Sequence, residues 1–351
     1  RLGIFSRVRQ RELVSFSRQL ATLFSAQVPL LQSLRSLASQ TENGYFKEIL
    51  FAAAADVEGG TPLSKSLQKY PKAFSVFYYN MVKSGEASGN LDRILNYLAD
   101  YLEKQYYLVS KIRGAMAYPA VILAGFLIAG TLMLIFVIPQ LTSILEETGQ
   151  ALPLPTKIVI AVANFVRAWW WAIFLLLFGL IAGAMIYIKK SPRAKFEWDN
   201  LKIKLPVFGK IFQKFYLSRL CDNLSTLMKG GLPILRALSI SAEVVGHAVY
   251  QQILLEAREQ VRAGSTISSI FDLYPKKIPP MVAKMMETGE QTGAVDEILQ
   301  KLSTFYTKEV DNVVNSLSQL IEPILIIILG VGVGVLVAAV LLPIYNIAGG
   351  M

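Results

Sequence analysis

The sequence has only one cysteine, Cys221, and one histidine, His247, among its 351 residues. A single cysteine excludes an internal disulfide and a cysteine-rich metal site. A single histidine removes most zinc sites and most acid–base chemistry that depends on histidine. We therefore expect no metal and no cofactor. Cys221 is expected in the core of a helical domain, and His247 at the surface.

Charge is absent from three long stretches, residues 114–145, 168–188 and 323–351. The chain is 53% hydrophobic and its mean hydropathy is +0.44, which is high for a soluble protein. About 20 apolar residues in a helix cross the hydrocarbon core of a bilayer. The sequence therefore predicts three transmembrane helices within residues 114–145, 167–189 and 319–351, with a short external loop at 146–166 between the first two.

An internal repeat with an offset of 204 residues organises the rest of the chain. The stretch "MVKSGEASGNLDRIL" from Met81 recurs as "MMETGEQTGAVDEIL" from Met285. Within residues 60–100, 13 of 41 positions match the residue 204 further on, where chance gives roughly two or three matches. The alignment needs no gap and continues into the apolar stretches, since Pro119 matches Pro323. The duplicated unit is a polar domain with the span that follows it.

The two polar domains, residues 1–113 and 190–318, show the periodicity of helices. Apolar residues recur three or four positions apart near the start of each copy, at Leu13, Phe16, Leu20, Leu23 and Phe24, and at Leu217, Leu220, Leu224, Leu227 and Met228. Alternating strand patterns of any length are missing. We predict an all-α membrane protein with two homologous helical-bundle domains and three transmembrane helices.

The positive charges predict which side of the membrane each domain occupies. Residues 189–214 contain eight lysine or arginine residues and two acidic ones, whereas residues 140–167 contain two of each. Basic residues collect on the cytoplasmic side. Both repeat domains should be cytoplasmic, where anionic lipid attracts their charge, and the loop and the C-terminus should lie outside. Basic patches interleaved with aromatic residues are missing, so we expect no nucleic-acid partner.

The recurring phrase is a candidate partner-contact site, made of Gly85, Glu86, Gly89 and Asp92 and their copies Gly289, Glu290, Gly293 and Asp296. We expect Gly85 to end one helix and Ser88 to cap the next, with Asp92 in its first turn near the positive end of the helix dipole. One interpretation is a turn needed for packing. The other is a glutamate carboxylate at a contact with another domain or a partner. Both can hold.

Small residues also recur at close-packing intervals in the apolar stretches. The candidates for transmembrane packing are Gly179 with Gly183, and Gly330 with Gly334. Glycines four residues apart let helix backbones approach in lipid. They favour packing within an oligomer, or grooves that admit a helix of another protein, although membrane helices are rich in glycine for general reasons.

Taken in order and in duplicate, several motifs resemble the type II secretion system F family. They are the Pro-Leu-Leu of residues 29–31, the Tyr70-Pro71 pair, the Gly-Glu-x-x-Gly phrase and the proline at the start of each repeated span. The resemblance covers about residues 5–347. That family contains the inner-membrane platform proteins of type II secretion and of type IV pilus assembly.

The resemblance implies a non-enzymatic platform in the cytoplasmic or inner membrane of a bacterial or archaeal-type cell. A hexameric cytoplasmic ATPase would engage the soluble domains so that pilins or pseudopilins are lifted from the membrane. A G-x-x-x-x-G-K-[ST] phosphate loop is absent from this sequence, so the energy would come from that partner. Membrane lipids, other inner-membrane assembly proteins and further copies of the chain are also expected partners.

Two other functional classes compete with the platform. A small membrane transporter or channel component is the main alternative, but the spans offer almost no polar residues to line a path. A membrane enzyme would have to use Glu86 and Glu290, which have no histidine, cysteine or metal-ligand cluster nearby in the sequence.

Overall fold

The computed structural model describes residues 8–137, 154–205 and 208–349, and these residues form helices without any strand. The chain divides into two compact units. Unit 1 comprises Arg1–Ser110 and Lys195–Asn312, and unit 2 comprises Lys111–Ala194 and Val313–Met351. The predicted all-α class is therefore confirmed. Both repeat domains lie in unit 1, and the uncharged stretches lie in unit 2.

The first repeat domain consists of five helices and the start of a sixth. They are α1 (Gln10–Ser25), α2 (Leu30–Gln40), α3 (Gly44–Glu58), α4 (Leu63–Gln68), α5 (Val76–Ser88) and α6 (Leu91–Leu132). The apolar face predicted for α1 packs inward, with Phe16 and Leu20 buried. The ring of Phe16 contacts those of Phe46 and Phe74 at centroid distances of 5.4 and 6.0 Å. Such edge-on aromatic contacts stabilise a core beyond the area that they bury.

Two helices precede the bundle of the second repeat domain, α7 (Leu154–Lys190) and α8 (Pro192–Lys204). Its helices are α9 (Phe208–Lys229), α10 (Ile234–Val244), α11 (Ala248–Arg262), α12 (Ile267–Asp272), α13 (Pro280–Thr292) and α14 (Val295–Gly349). Helices α10 to α13 begin and end 204 residues after α2 to α5. The duplication inferred from a short phrase thus extends to the boundaries of every helix between α1 and α6.

A polar seam joins the two repeats within unit 1. The Ser84 hydroxyl on α5 donates a hydrogen bond to the Gly230 carbonyl at 2.6 Å. Deeper in the seam, the Lys104 ammonium on α6 lies 2.8 Å from the carboxylate of Asp222 on α9, whose side chain is 5% exposed. The Ser303 hydroxyl also donates to Asp222 at 2.8 Å. A largely buried ion pair with a further hydrogen bond therefore links the two domains.

The seam is also where the two copies differ. Arg18 occupies the position in repeat 1 that Asp222 occupies in repeat 2. Its guanidinium pairs within its own domain, with Glu103 at 2.7 Å and Asp100 at 2.5 Å. One position therefore carries opposite charges in the two copies, and only the second copy uses that position to bind the other domain.

The apolar helical segments lie in unit 2 or extend into it from unit 1. Two helices are long and apolar enough to cross a bilayer, Leu91–Leu132 and Val295–Val335, and a shorter apolar segment, Phe178–Ile188, lies within α7. A π-helical turn, Met133–Val137, extends α6, and residues 138–145 of the predicted first span fall outside the described part. The predicted external loop is helical from Leu154 onward. Proline is favourable in a first helical turn, where Pro155 lies, and no helix-breaking residue follows in 156–166.

Candidate functional site: the duplicated Gly-Glu turn

The Gly-Glu phrase lies where α5 meets α6, and its copy lies where α13 meets α14. Helix α5 continues through Gly85 and Glu86 to Ser88, so the prediction that Gly85 ends a helix is wrong. The prediction that Ser88 is an N-cap is also wrong, because its hydroxyl donates back to the Ser84 carbonyl at 2.9 Å. Asp92 does lie in the first turn of α6, and Asp296 in that of α14.

Gly85 and Gly289 are the points of closest approach between the two helices of each hairpin. A Cβ atom built on Gly85 would lie 2.9 Å from Cγ1 of Ile94 and 3.1 Å from the Leu91 Cα atom. The same atom on Gly289 would lie 3.2 Å from its nearest neighbours, Ile298 and Val295. A glycine at this position therefore lets the second helix fold back tightly on the first, and the first copy is the tighter one.

Gly89 and Gly293 end the first helix of each hairpin in the left-handed conformation, with φ of 68° and 72°. The N–H of Gly89 donates to the carbonyl of Gly85, and the N–H of Gly293 to that of Gly289. Glycine adopts this conformation without the steric cost that a Cβ atom brings. The second glycine of the phrase therefore serves to end the helix.

The two glutamates cap a neighbouring helix of their own domain. The Glu86 carboxylate accepts hydrogen bonds from the Ser64 N–H at 3.2 Å and the Ser64 hydroxyl at 2.5 Å, at the start of α4. The Glu290 carboxylate accepts from the Ile267 N–H at 2.5 Å, and from the N–H and hydroxyl of Ser268 at 3.2 and 2.5 Å, at the start of α12. The first N–H groups of a helix lack intrahelical partners, and a carboxylate there is stabilised by the helix dipole.

The glutamates therefore have the packing role that the sequence left open, and their partners were missed. Ser64 and Ser268 are themselves 204 residues apart, and each precedes its glutamate by 22 residues. A repeat alignment shows that these serines are shared, but no local rule connects a serine to a glutamate 22 positions later. The contact depends on how α4 folds against α5.

The solvent-facing side of each turn consists of other residues. Ala87, Ser88 and Gly89 are exposed in the first copy, and Gln291, Thr292 and Gly293 in the second. A surface hollow of about 570 Å³ adjoins the second turn and is lined by polar side chains that include Glu290 and Gln291. A partner that contacts the turns would meet these outer residues, whereas the carboxylates are half-buried.

The glycines proposed for transmembrane packing face open space within the described residues. A Cβ atom on Gly179, Gly183, Gly330 or Gly334 would find no other heavy atom within 4 Å. The glycine between the last two, Gly332, lies instead against the ring of Phe126. Packing of the four candidates against a second copy or another protein remains a prediction. The described residues contain no group of three or more histidine, cysteine, aspartate or glutamate side chains placed to hold a metal.

Comparison with known proteins gives the family. The model of the type II secretion system (T2SS) protein F family matches the chain twice, over residues 16–139 and 220–343. The chain belongs to the type II secretion system protein F family. The two matches again lie 204 residues apart, so each copy of the family domain combines one helical bundle with the apolar helix that follows it.

Relatives within the protein F family cover nearly the whole chain. A type IV pilus assembly protein PilC of Thermus thermophilus is 40% identical over 97% of this chain and 83% of its own. A type IV pilus assembly protein TapC of Aeromonas hydrophila is 36% identical over 98% and 84%. A type II secretion system protein F of Pseudomonas aeruginosa is 30% identical over 96% and 83%. Pilus assembly and secretion are thus both represented among the relatives.

Proposed function

We propose that this protein is the inner-membrane platform of a type IV pilus assembly or type II secretion machine. The observation that carries the proposal is the similarity, over nearly the full chain, to proteins named for these two machines. The architecture supports it, because each duplicated bundle leads directly into an apolar helix without a linker. The protein would act by binding and moving other proteins, and not by catalysing a reaction.

We further propose that α6, α7 and α14 are three membrane spans. Two spans between the repeats would return the chain to its starting side, so both domains would be cytoplasmic and the C-terminus external. The excess of basic residues in 189–214 supports this orientation. The continuous helix α7 supports the second span, since 37 residues at about 1.5 Å each exceed the bilayer thickness.

Coupling to a cytoplasmic ATPase would use the two helical domains. Buried residues of α6 such as Ile94, Leu95 and Leu98 anchor its first turns in the domain core, and the same helix continues to Leu132. The same helix would therefore link the domain to the proposed span. Pilins or pseudopilins would be the cargo. Other inner-membrane assembly proteins, lipids and further copies of the chain would surround the spans.

The outer residues of the Gly-Glu turns are our candidates for the contact with the ATPase. Substitution of Ala87 or its equivalent Gln291 by arginine places a long charged side chain on the exposed side of each turn and leaves the glutamate caps intact. We expect loss of ATPase co-purification and of pili or secretion, with normal insertion. Ala55→Arg, a similar change on the exposed side of α3, is the control. Full ATPase binding by both turn variants would exclude the turns as the contact.

The platform function itself is tested by deleting the gene in its own host and restoring it. We expect the deletion to abolish surface pili or secreted substrate while the ATPase and the pilin remain present in the cell. Expression of the full chain should restore assembly. Normal piliation and normal secretion in the deletion strain would contradict the proposal.

A further inference from the structure

Helix α8 is attached to the second repeat domain along one side. Phe196 and Ile203 pack against the core of unit 1. Between them, the buried Asp199 accepts a hydrogen bond from the Ala248 N–H at 2.9 Å, at the start of α11. The Asp199 carbonyl accepts another from the ring Nε2 of His247 at 3.0 Å. These contacts fix the orientation of α8 on the domain and determine which side chains it exposes.

The opposite side of α8 exposes a stripe of large apolar residues. Trp198, Leu201 and Leu205 are 45%, 49% and 43% exposed. Leu205 directly follows the last residue of α8, and its N–H still donates to the Leu201 carbonyl at 3.1 Å. The spacing of three and four residues therefore places these three side chains on one side of the helix. Phe196 and Ile203 lie on the other side, so the short helix has two apolar faces and only one of them is covered by the domain. An exposed apolar stripe of this kind marks an interaction surface.

The charges beside the stripe indicate the kind of surface that it meets. Residues 189–204 carry six basic and two acidic side chains, a net charge of 6 − 2 = +4. One of the acids, Asp199, is buried and paired with Lys202. The Lys202 ammonium also lies 5.8 Å from the centre of the Trp198 ring. Lysines beside tryptophan and leucine are typical of helices that lie in the headgroup region of anionic membranes.

The position of α8 in the chain brings it to the membrane. The apolar segment Phe178–Ile188 of α7 ends four residues before Pro192, the first residue of α8. Four residues span at most about 14 Å even when fully extended. If α7 is a membrane span, as proposed above, α8 must begin in or beside the interfacial layer. The cytoplasmic face of the bilayer is therefore within immediate reach of the stripe.

We propose that the Trp198–Leu201–Leu205 face of α8 is inserted into the headgroup region of an anionic phospholipid bilayer. Because Asp199 ties α8 to the start of α11, this insertion fixes the second repeat domain to the membrane surface. The inference rests on α7 being a span and goes beyond the platform function, which does not require it.

A lipid-quenching experiment on the full chain tests the insertion. The Leu201→Cys variant, labelled with an environment-sensitive fluorophore, is placed in nanodiscs of phosphatidylethanolamine and phosphatidylglycerol. Gln291→Cys, on the exposed side of α13, is the control site. The native Cys221 does not interfere, because it is fully buried and burial raises the pKa of its thiol to about 12. The label is then quenched separately by nitroxide lipid and by aqueous iodide.

An interfacial helix lies about 5–10 Å into the headgroup boundary, so we expect nitroxide lipid to quench the label at residue 201 at least about threefold more than the label at 291. Iodide should quench the label at 291 more than the label at 201. Equal iodide quenching at both sites would overturn the inference. So would protection of the label from both quenchers, combined with disulfide-linked dimers when the unlabelled Leu201→Cys variant is treated with a thiol oxidant, because the stripe would then cover a second copy.

A label at Ser191→Cys separates a failure of this inference from a failure of the proposed topology. Ser191 lies between α7 and α8, so its accessibility reports the side on which α7 ends. Access from the cytoplasm only, combined with iodide quenching at residue 201, would overturn the lipid contact and leave the topology intact. Access from the outside only would overturn both. Neither result would bear on pilus assembly in the deletion strain.

Discussion

Removal of the Glu290 carboxylate is the perturbation whose effect the structure predicts most fully. Glu290→Ala leaves the N–H groups of Ile267 and Ser268 and the Ser268 hydroxyl without their acceptor. Loss of an N-cap costs about 0.5–2 kcal/mol, and a hydrogen bond to a charged group contributes about 1.5–3 kcal/mol. Water can reach part of this half-buried site, so we expect a net loss of about 2–3 kcal/mol in the free energy of unfolding.

The assay is thermal unfolding of the full chain in detergent, with the domain signal followed by circular dichroism. For a folded unit of this size, 1 kcal/mol shifts the midpoint by roughly 2–4 °C, so Glu290→Ala should unfold roughly 5–10 °C below the parent protein. Glu287→Ala is the matched control. Glu287 lies on the same helix, and its exposed carboxylate pairs with Lys284. An exposed pair of this kind contributes less than about 1 kcal/mol.

The result that would refute the cap is equal stability of the Glu290→Ala and Glu287→Ala variants. Ser268→Ala provides a second readout, since it removes one of the three donors and leaves the carboxylate in place. It should cost less than Glu290→Ala and should not affect ATPase binding if only the outer turn residues contact the partner. A stable Glu290→Ala variant that no longer binds the ATPase would show that the carboxylate faces the partner.

Three further predictions concern packing, the seam between the repeats and pH. Gly85→Ala should destabilise the protein by about 1–2 kcal/mol, because the added Cβ meets the backbone of the next helix. It should destabilise the protein more than Gly289→Ala does, and equal effects would contradict the closer helix approach at Gly85. Asp222→Leu should cost about 3 kcal/mol, because it leaves the largely buried Lys104 ammonium without its carboxylate partner. Adding Lys104→Met should recover part of that loss, and additive losses would exclude the pair. Burial lowers the pKa of His247 from 6.5 to about 4. As the pH falls, the unfolded state therefore binds a proton before the folded state does, and the free energy of unfolding should drop by about 2 kcal/mol between pH 7 and pH 5. A His247→Phe variant whose free energy of unfolding depends on pH as strongly as that of the parent protein would contradict this.

Most of the fold could be predicted from the sequence, because the duplication presents the same pattern of helix ends and apolar faces twice. Helices α2 to α5 and their copies share boundaries, and the apolar face of α1 is buried where the periodicity placed it. Cys221 is buried as predicted. These features depend on local periodicity and on helix-ending residues, which a sequence contains directly.

The features that the sequence did not reveal depend on tertiary contacts between distant residues. His247 was predicted at the surface, but it is 1% exposed. Its ring lies 4.4 Å from that of Tyr216, and its Nε2 bonds the Asp199 carbonyl. Asp199 and Tyr216 come from helices that carry no signal pointing to residue 247. The Lys104–Asp222 pair was missed for a different reason. The alignment of the two copies points to positions that they share, whereas Asp222 corresponds to an arginine, Arg18, in the first copy.

The most direct test of the account is the side of the membrane on which the two equivalent turns lie. Ser88→Cys and Thr292→Cys place single accessible thiols 204 residues apart on exposed turn residues. In intact cells a membrane-impermeant maleimide should label neither thiol, and after the cytoplasmic face is opened it should label both. Labelling of one thiol in intact cells and of the other only after opening would place the two repeats on opposite sides, and no cytoplasmic motor could then engage both.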